Sequence, residues 1–318
     1  MDKPLVSVIC LCYNHERFVR EAIESVVLQT YTPVQIIVAD DASVDNSQHV
    51  IKELKERYPF LELLLLQHNL GNCKAFNKAY GLVKGKFVID FSTDDVMLHD
   101  RIEKQVAYLE NAGDQTGVVF TDASYITEGG KFIRNHFDHL IQKGLIRQIP
   151  RGNIYRDVLA RYFVPTPTLM IRRTVLDTLG GYDEQLAYED FDLLVRSSRI
   201  CGYGFINERL THIRKVATSL SSRQYMPEDA QLYSTYLVCR KAQQLNRDER
   251  DHEALVKRVR FELRQAVLSG KSEEAKLFYQ LLRDLNGVSL SDAFIWMLNR
   301  PGVALSPLLK WYHRLRYN

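Results

Sequence analysis

The sequence of 318 residues is 46% hydrophobic and 25% charged, a composition typical of a folded globular protein and not of a disordered one. Its formal net charge of +3 is unevenly distributed. Residues 225–318 hold 15 Lys and Arg against 11 Asp and Glu, whereas residues 1–224 hold 27 against 28. Because the larger part of the chain has no basic surplus gathered on one element, nucleic acid binding is not expected.

The amino terminus lacks the order of charged, apolar and small residues that defines a signal peptide, and no run of about 18 apolar residues follows. The cysteines are odd in number and widely scattered: Cys10, Cys12, Cys73, Cys201 and Cys239. The Cys-x-Cys spacing at the start matches neither a zinc site nor a redox motif, so we interpret it as core packing. We therefore expect a cytoplasmic protein without disulfides.

Short apolar runs alternate with helical patterns through the first part of the chain. The predicted strands are residues 6–12, 34–39, 61–66, 87–90 and 118–121, and another short apolar run lies at residues 168–171. Helical spacing of apolar residues lies between them, at about residues 18–27, from 45 onward, 72–83 and 100–111. This order predicts an α/β fold with a doubly wound sheet. Residues 122–165 are less regular, and we expect an insertion facing an acceptor there.

A change of pattern near residue 225 predicts a boundary. Beyond Pro227 the sequence has long helical stretches, such as residues 258–267 and 273–285, and no further strand pattern. We therefore divide the chain into a catalytic domain at residues 1–225 and a helical carboxyl-terminal extension at residues 226–318.

Polar residues follow three of the predicted strands, where open α/β sheets bind ligands. The first strand ends in Tyr13-Asn14 without a Gly-x-Gly-x-x-Gly motif, which argues against a dinucleotide fold. Asp40-Asp41 follows the second strand, and such a pair alone more often stabilises a turn than binds a ligand. Asp94-Asp95 follows the fourth, and paired carboxylates suit a hard divalent cation.

The order and spacing of these clusters resemble those of the family-two glycosyltransferases with the GT-A fold. The main stretches are Ser7-Val-Ile-Cys-Leu-Cys-Tyr-Asn14, Ile37-Val-Ala-Asp-Asp-Ala-Ser43, Ser92-Thr-Asp-Asp95 and Gly180-Gly-Tyr-Asp-Glu184. Shorter matches lie at residues 23–30, 69–71 and 85–89. The resemblance runs from residue 6 to about residue 220 and implies transfer of a sugar from a nucleotide donor.

The resemblance also implies where the nucleotide binds. Its carried-over contacts are Cys12, Tyr13 and Asn14 against the nucleoside, Asp40 on the uracil of a UDP donor, and Ser92, Thr93 and Asp94 near the ribose and diphosphate. Asp94, flanked by Asp95, is expected to hold Mn²⁺ or Mg²⁺. The family's metal motif usually begins with a further Asp, for which Ser92 stands here, and its hydroxyl can still accept a hydrogen bond.

The family's catalytic base lies in a Glu-Asp pair after a Gly-Gly turn, which here is Glu189-Asp190. The resemblance makes Asp190 the base for an inverting displacement. A competing interpretation treats these acids as the first turn of an amphipathic helix. Relatives often carry a histidine where Val216 stands, so one ligand to metal or phosphate is missing.

The predicted function is transfer of a sugar to an acceptor hydroxyl on a glycan or lipid-linked acceptor, as in polysaccharide or other cell-surface glycan synthesis. Two other functions are open to the fold. A nucleotidyltransferase needs a Gly-rich phosphate loop that residues 13–17 do not supply. A non-catalytic sugar-nucleotide-binding protein is the stronger rival, because Ser92 and Val216 both depart from the family pattern.

The last segment, residues 293–318, contains no acid and both tryptophans, Trp296 and Trp311. Its basic residues are Arg300, Lys310, Arg314 and Arg316. Basic residues mixed with aromatic ones suit an interfacial helix on anionic lipid at the inner face of a membrane. A carboxyl-terminal helix docked on the catalytic domain through residues 308–315 is the equal alternative.

Overall fold

The computed structural model describes residues 3–216 and 229–299. Its strands are β1 (Val6–Cys12), β2 (Val34–Asp40), β3 (Glu62–Leu65), β4 (Phe87–Ser92), β5 (Val96–Met97), β6 (Thr116–Thr127), β7 (Phe132–Asn135), β8 (Met170–Arg172) and β9 (Gly202–Lys215). They form one mixed sheet in the order β3-β2-β1-β4-β8-β6-β9-β5, with β7 paired to β6. The predicted doubly wound sheet is confirmed.

The parallel half of the sheet is built from the most apolar runs. Every residue of β1 is buried, as expected for a central strand covered on both faces. β1 pairs in parallel with β2 and with β4, in a register that sets Cys12 beside Asp40 and Leu11 beside Ser92. The carboxyl ends of these three strands therefore meet at one edge.

The other half of the sheet contains three strands that the sequence pattern did not predict: β5, β7 and β9. β8 joins the halves by antiparallel pairing with β4 and β6, and β9 runs parallel to β6. The register of β6 and β9 shifts around Asp122. β9 alternates irregularly between buried and exposed residues, so the period of two on which strand prediction depends is broken.

Helices cover both faces of the sheet. Those of the catalytic region are α1 (Val19–Val27), α2 (Ser47–Arg57), α3 (Asn72–Tyr80), α4 (Arg101–Asn111), α5 (His136–Gln142), α6 (Tyr155–Ala160), α7 (Arg173–Leu179) and α8 (Asp190–Ser197). Apolar residues of α1, α2 and α4 fill one core with β1 and β4, whereas those of α3, α6, α7 and α8 fill the other.

The carboxyl-terminal region is helical, as predicted: α9 (Gln231–Leu245), α10 (Glu249–Ser269), α11 (Ser272–Asp284) and α12 (Leu290–Met297). Its apolar residues belong to the same core as α6 and α8. The buried carboxylate of Asp251 pairs with Arg156 and Arg199 of the catalytic region. The predicted boundary near residue 225 lies outside the described residues. None of the described helices is both long and apolar enough to cross a bilayer.

Candidate active site

Three carboxyl groups from two parts of the chain come close enough for their charges to interact. Asp90 lies on β4, and Glu189 and Asp190 lie at the start of α8. The side chains of Asp90 and Ser92 point to the same face of the sheet because strand side chains alternate. Of the three acids, Asp90 was not predicted as a site residue; Glu189 and Asp190 were.

The turn before α8 is held by glycines that no other residue could replace without strain. Gly180 and Gly181 have φ of 71° and 78°, and a Cβ on Gly181 would lie 2.6 Å from Oδ1 of Asn77. That Asn77 oxygen accepts a hydrogen bond from the Tyr182 backbone N–H at 2.9 Å. The Tyr182 hydroxyl in turn donates to Oδ2 of Asp90 at 3.0 Å. The turn thus links α3 to the acid on β4.

Burial is the main reason that these carboxyl groups hold protons tightly. It raises the pKa of Asp90 to about 7, with a further contribution from the charge of Asp190. It also raises the pKa of Glu189 well above its usual range, and the charges of Asp190 and Asp90 raise it further. The pKa of Asp190 is raised by burial too, but hydrogen bonds from Thr166, Glu189 and Tyr162 oppose that effect.

These opposing effects set Asp190 apart within the cluster. Three neighbours donate hydrogen bonds to its anion, whereas that of Asp90 accepts one from Tyr182, so we expect Asp190 to lose its proton first. Once it is charged, it favours the protonated forms of Asp90 and Glu189. Asn72 donates a short hydrogen bond to Oε2 of Glu189, which fixes that side chain. The arrangement holds one carboxylate ready to accept a proton beside two carboxylic acids.

Two cations close to α8 form ion pairs with Asp192, which is not one of the three clustered acids. Asp192 pairs with Arg196 at 2.6 Å and with Lys241 at 2.7 Å. Within residues 3–216 and 229–299, none of the three clustered acids has an ion-pair partner. The simple interpretation of this stretch as an acidic first helix turn therefore suits Asp192, whereas Glu189 and Asp190 face the interior cluster.

The predicted nucleoside edge is a tightly bonded turn. Asn14, with φ of 58°, donates its backbone N–H to Ser43 Oγ at 2.9 Å, and its Oδ1 accepts from the Val44 N–H at 2.9 Å. Cys12 is buried, which raises the pKa of its thiol to about 11, so its side chain serves packing. Tyr13 is 44% exposed and is the aromatic ring available at this edge.

Asp40 is fully buried, and both of its oxygens are already bonded. Oδ1 accepts from the Ser43 N–H at 2.9 Å and from Nε2 of Gln48 at 2.7 Å, and Oδ2 accepts from Ser43 Oγ at 2.5 Å. Asp41 accepts from the N–H groups of Leu70 and Gly71 at 2.7 and 2.9 Å. A base contact by Asp40 would therefore use its remaining lone pairs or require Ser43 or Gln48 to turn away.

Asp94 and Asp95, the predicted metal pair, differ in burial and in hydrogen-bond partners. Asp95 is 3% exposed and accepts the Arg214 backbone N–H at 2.8 Å, which holds it against β9. Its placement therefore does not support the metal role predicted for it. Asp94 is half-buried, and its Oδ1 accepts from Ser92 Oγ at 2.5 Å. Thr93 is buried, and its hydroxyl contacts Nδ1 of His15 and the Leu11 carbonyl.

Across the described ranges, no group of three or more His, Cys, Asp or Glu side chains is arranged to hold a metal. Asp94 nevertheless fits a cation that brings its own ligands, because Mg²⁺ is commonly bound by one or two carboxylates, substrate phosphates and water. Asp94 therefore suits a metal ion that binds together with a diphosphate, and not one that is bound by protein ligands alone.

Two cations on the Tyr125 ring were missed by sequence reasoning. Lys215 and Arg134 lie 4.4 and 5.3 Å from the centre of that ring. Burial and the charge of Arg134 lower the pKa of Lys215, whereas Asp95 and Asp94 act in the opposite direction. Neither cation forms an ion pair with any residue that the structure describes. Lys215, which interacts with the charge of Asp94, is thus a source of positive charge near the predicted diphosphate position, and Arg134 lies beside Lys215.

The chain is similar in sequence to known proteins. The model of the family described as Glycosyl transferase family 2 matches residues 7–180. An uncharacterised glycosyltransferase of Methanocaldococcus jannaschii, MJ1057, is 31% identical over 199 residues, which are 62% of this chain and 65% of that protein. TuaG of Bacillus subtilis, whose name refers to teichuronic acid biosynthesis, is 26% identical over 70% of this chain and 84% of its own.

Solved structures share the fold at low identity. The S. aureus protein TarS, residues 1–349 in complex with UDP-GlcNAc, has a TM-score of 0.68 at 16% identity, over 91% of this chain and 83% of that chain. The mannosyltransferase PcManGT from Pyrobaculum calidifontis, in complex with GDP-Man and Mn²⁺, has a TM-score of 0.58 at 18% identity, over 100% and 85%. The predicted GT-A fold is confirmed.

Proposed function

This chain belongs to glycosyl transferase family 2, whose model covers more than half of it, and we propose that it catalyses an inverting transfer from a UDP-sugar to an acceptor hydroxyl. Membership of the family makes the chain a glycosyltransferase that uses a sugar-nucleotide donor. The stereochemistry, the base of the donor and the acceptor are the parts that we propose.

The observation that carries the proposal is the position of Asp190 in the acid cluster, where its carboxylate bonds to Tyr162 and Thr166 beside Glu189. An inverting displacement needs one anionic carboxylate on the acceptor side to take a proton as the new bond forms. Asp190 meets this need because Tyr162 and Thr166 stabilise its anion. Glu189 holds its proton, so it acts as a hydrogen-bond donor to Asp190 and not as the base.

In the proposed step, the acceptor oxygen attacks the anomeric carbon while its proton moves to Asp190. The bond from that carbon to the diphosphate oxygen breaks on the opposite side, and the bonding pair leaves with the nucleoside diphosphate. A positioned base of this kind typically accounts for about 10²–10⁴-fold in rate. Proton transfer leaves Asp190 neutral in its buried position, where the charged form is disfavoured.

The leaving group gathers negative charge on the side of the site where Asp94 lies. Asp94 would hold a divalent ion, which when bound supplies Lewis acid stabilisation of the diphosphate. Lys215 and Arg134 add positive charge there through their own side chains. Their positive charge compensates for a metal ion that is held by one acid fewer, because Ser92 replaces the family's first acid, and for the histidine that Val216 replaces.

The choice of donor and pathway rests on similar proteins. UDP-GlcNAc is bound in the TarS structure, and GDP-Man with Mn²⁺ in that of the mannosyltransferase. We favour UDP because TarS has the higher TM-score. The name of TuaG supports a role in cell-surface polysaccharide synthesis, with a glycan or lipid-linked acceptor. We propose that transfer takes place in the cytoplasm, where sugar nucleotides would be available.

A donor screen tests the proposal. Hydrolysis and binding of UDP-, GDP- and dTDP-sugars would be measured with Mn²⁺, with Mg²⁺ and with a chelator. We expect turnover with a UDP-sugar that depends on metal, and tighter metal binding in Ser92→Asp, which restores the first acid of the motif. Binding without turnover for every donor would instead support a non-catalytic sugar-nucleotide-binding protein.

A matched pair of variants separates the two sources of positive charge. Lys215→Gln removes a cation beside Asp94, whereas Lys257→Gln removes an exposed one on α10. We expect weaker UDP binding only in the first. Equal affinity of the two variants would remove Lys215 from the proposed site.

A further inference from the structure

The segment that carries Glu189-Asp190 has no regular backbone structure before α8 begins. Residues 183–192, which we call the base segment, follow the Gly180-Gly181 turn and end in the first turn of α8. Residues 183–189 lie in neither a helix nor a strand. A backbone without regular hydrogen bonds keeps one shape only where other contacts satisfy its polar groups. Contacts with the rest of the chain therefore determine the position of the two acids.

Lys241 on α9 contacts both ends of the base segment. Its Nζ lies 2.6 Å from Oδ2 of Asp183, the first residue of the segment, and 2.7 Å from Oδ1 of Asp192, the last. The Asp192 side chain is 2% exposed and that of Lys241 is 29% exposed. One partly shielded ammonium group therefore joins the two ends of the segment to each other and to α9.

Lys241 is not required to neutralise Asp192, because Asp192 also pairs with Arg196 at 2.6 Å. Among the described residues, Asp183 forms an ion pair with Lys241 alone. Burial acts to raise the pKa of Asp183, but hydrogen bonds from Lys241 and Gln185 and the charge of Lys241 outweigh it, so the pKa is lowered. What Lys241 adds is therefore the connection between Asp183 and Asp192.

Two hydrogen bonds between those ends also come from α9. Ser234 Oγ accepts from the Ala187 backbone N–H at 2.9 Å. The Tyr188 hydroxyl lies 2.6 Å from Thr235 Oγ1, which donates its own hydrogen to the Gln231 carbonyl at 2.9 Å, so Tyr188 is the donor of this bond. Helix α9 thus holds the base segment as far as the residue directly before the acid pair.

We propose that Lys241 is a positioning residue for the transfer reaction: it joins Asp183 to Asp192 and so fixes the base segment that carries Asp190. Misplacement of a catalytic group by about 1 Å can cost about 10²-fold in rate. The carboxyl-terminal helices therefore belong to the catalytic unit, although the sequence pattern separates them from it. The inference rests on the proposed function, because Lys241 acts through Asp190.

Lys241→Met in the full chain tests this role through kcat and KM for donor hydrolysis with Mn²⁺, using whichever of the UDP-, GDP- and dTDP-sugars is hydrolysed fastest. We expect kcat to fall by about 10–10²-fold with KM unchanged, because the predicted donor contacts lie at the ends of β1, β2 and β4. Lys241→Arg keeps a cation that can bond to both carboxylates, so it should restore most of the rate. These variants should fold, because Asp192 keeps Arg196 as its partner.

Hydrogen exchange provides a readout that needs no substrate. The amides of residues 183–192 should exchange about tenfold faster in Lys241→Met, because the two ends of the segment are no longer joined. Arg240→Met is the matched control, since Arg240 precedes Lys241 on α9 but pairs with Asp284 of α11 at 3.4 Å. It should leave both kcat and the exchange of the base segment as in the wild type.

The double variant Lys241→Met with Asp190→Asn separates this inference from the proposed reaction. It should be no slower than Asp190→Asn alone, because Lys241 acts through the carboxylate that is already missing. A further equal loss in the double variant, or a higher KM for Lys241→Met with kcat unchanged, would overturn the role of Lys241. Wild-type kcat or exchange in Lys241→Met would overturn it too, even if Asp190→Asn is slow. Normal turnover in Asp190→Asn would instead overturn the proposed base.

Discussion

The two acidic regions of this site differ in how their charges are satisfied. At the nucleoside edge, Asp40 and Asp41 each accept hydrogen bonds from nearby loops. Burial raises the pKa of Asp41, and the hydrogen bonds from Leu70 and Gly71 oppose that effect, so its carboxylate stabilises the turn that holds it. In the cluster, the charge of Asp190 raises the pKa of Asp90 and of Glu189, and no residue that the structure describes forms an ion pair with any of the three. The first region maintains the shape of its turn, and the second is the region for which we propose proton transfer.

This difference predicts opposite responses to removal of an acid. Removing a satisfied carboxylate leaves buried donors without partners and destabilises the fold. Removing a carboxylate from the cluster relieves desolvation and repulsion, so it stabilises the fold at the expense of function. Stability measurements can therefore distinguish framework acids from catalytic ones before any substrate is known.

The largest loss of stability is expected on substitution of Arg214, which bonds to the backbone of Asp94 on the proposed diphosphate side. Arg214 is 5% exposed and bonds to the Glu21 carboxylate at 2.6 Å, to the Asp94 carbonyl at 2.9 Å and to the Glu128 carbonyl at 2.8 Å. Arg214→Met should lower the free energy of unfolding by about 3–5 kcal/mol, because it removes a buried charge with many acceptors. Urea denaturation would measure this loss.

Arg209→Met is the control for that variant because Arg209 lies on the same strand with a side chain 49% exposed. It should cost less than about 1 kcal/mol. If both variants lost the same stability, the hydrogen bonds of Arg214 would not support the site as described.

At the nucleoside edge, Asp41→Ala should lower the free energy of unfolding by about 2 kcal/mol at neutral pH. The Leu70 N–H loses its acceptor, and the Gly71 N–H keeps only its longer hydrogen bond, to Oδ1 of Asn69 at 3.1 Å. Asp41→Asn keeps one acceptor oxygen and should lose about half as much. Thermal denaturation checks both, and an increase in stability for either would remove the contrast between the two regions.

In the cluster, Asp90→Asn should instead raise the free energy of unfolding. The pKa of Asp90 is about 7 in the folded chain and about 4 when unfolded, so the folded state binds more protons between these values. Stability of the wild type therefore falls as pH rises from about 4 to 7, and the full penalty is present above pH 7. Asparagine cannot ionise, and it can still accept the hydrogen bond of Tyr182.

The variant should thus gain about 1–3 kcal/mol at pH 8 and almost nothing near pH 4. Unfolding curves at the two pH values, compared with the wild type, measure this. A gain of equal size at both would mean that packing, and not ionisation, sets the effect.

The sequence alone was sufficient to predict what depends on local pattern. The parallel strands, the polar residues at their carboxyl ends and the pair Glu189-Asp190 all follow from short-range spacing and the family motifs. The sequence could not show that Asp95, the predicted metal ligand, is buried, because its burial depends on pairing between β5 and β9. Lys215 was missed because β9 itself has an irregular pattern.

Asp90 was missed for a related reason. It lies inside an apolar run that predicts a buried strand, and its importance comes from residues about a hundred positions later in the chain. The docking of α12 on α10 and α11 likewise depends on distant residues, and Trp296, which the composition of its segment suggested as an interfacial residue, instead stacks on Tyr279. The rest of that segment, residues 300–318, lies outside the described residues.

The central claim is that Asp190 is the base and Glu189 is its protonated neighbour. Transfer rate and donor affinity should be measured in parallel for Asp190→Asn and Glu189→Gln, since both replacements keep size and hydrogen bonding. The account predicts that Asp190→Asn loses about 10²–10⁴-fold in rate with donor affinity unchanged, and that Glu189→Gln, which resembles the protonated acid, loses far less. A larger loss in Glu189→Gln, or normal turnover in Asp190→Asn, would contradict it.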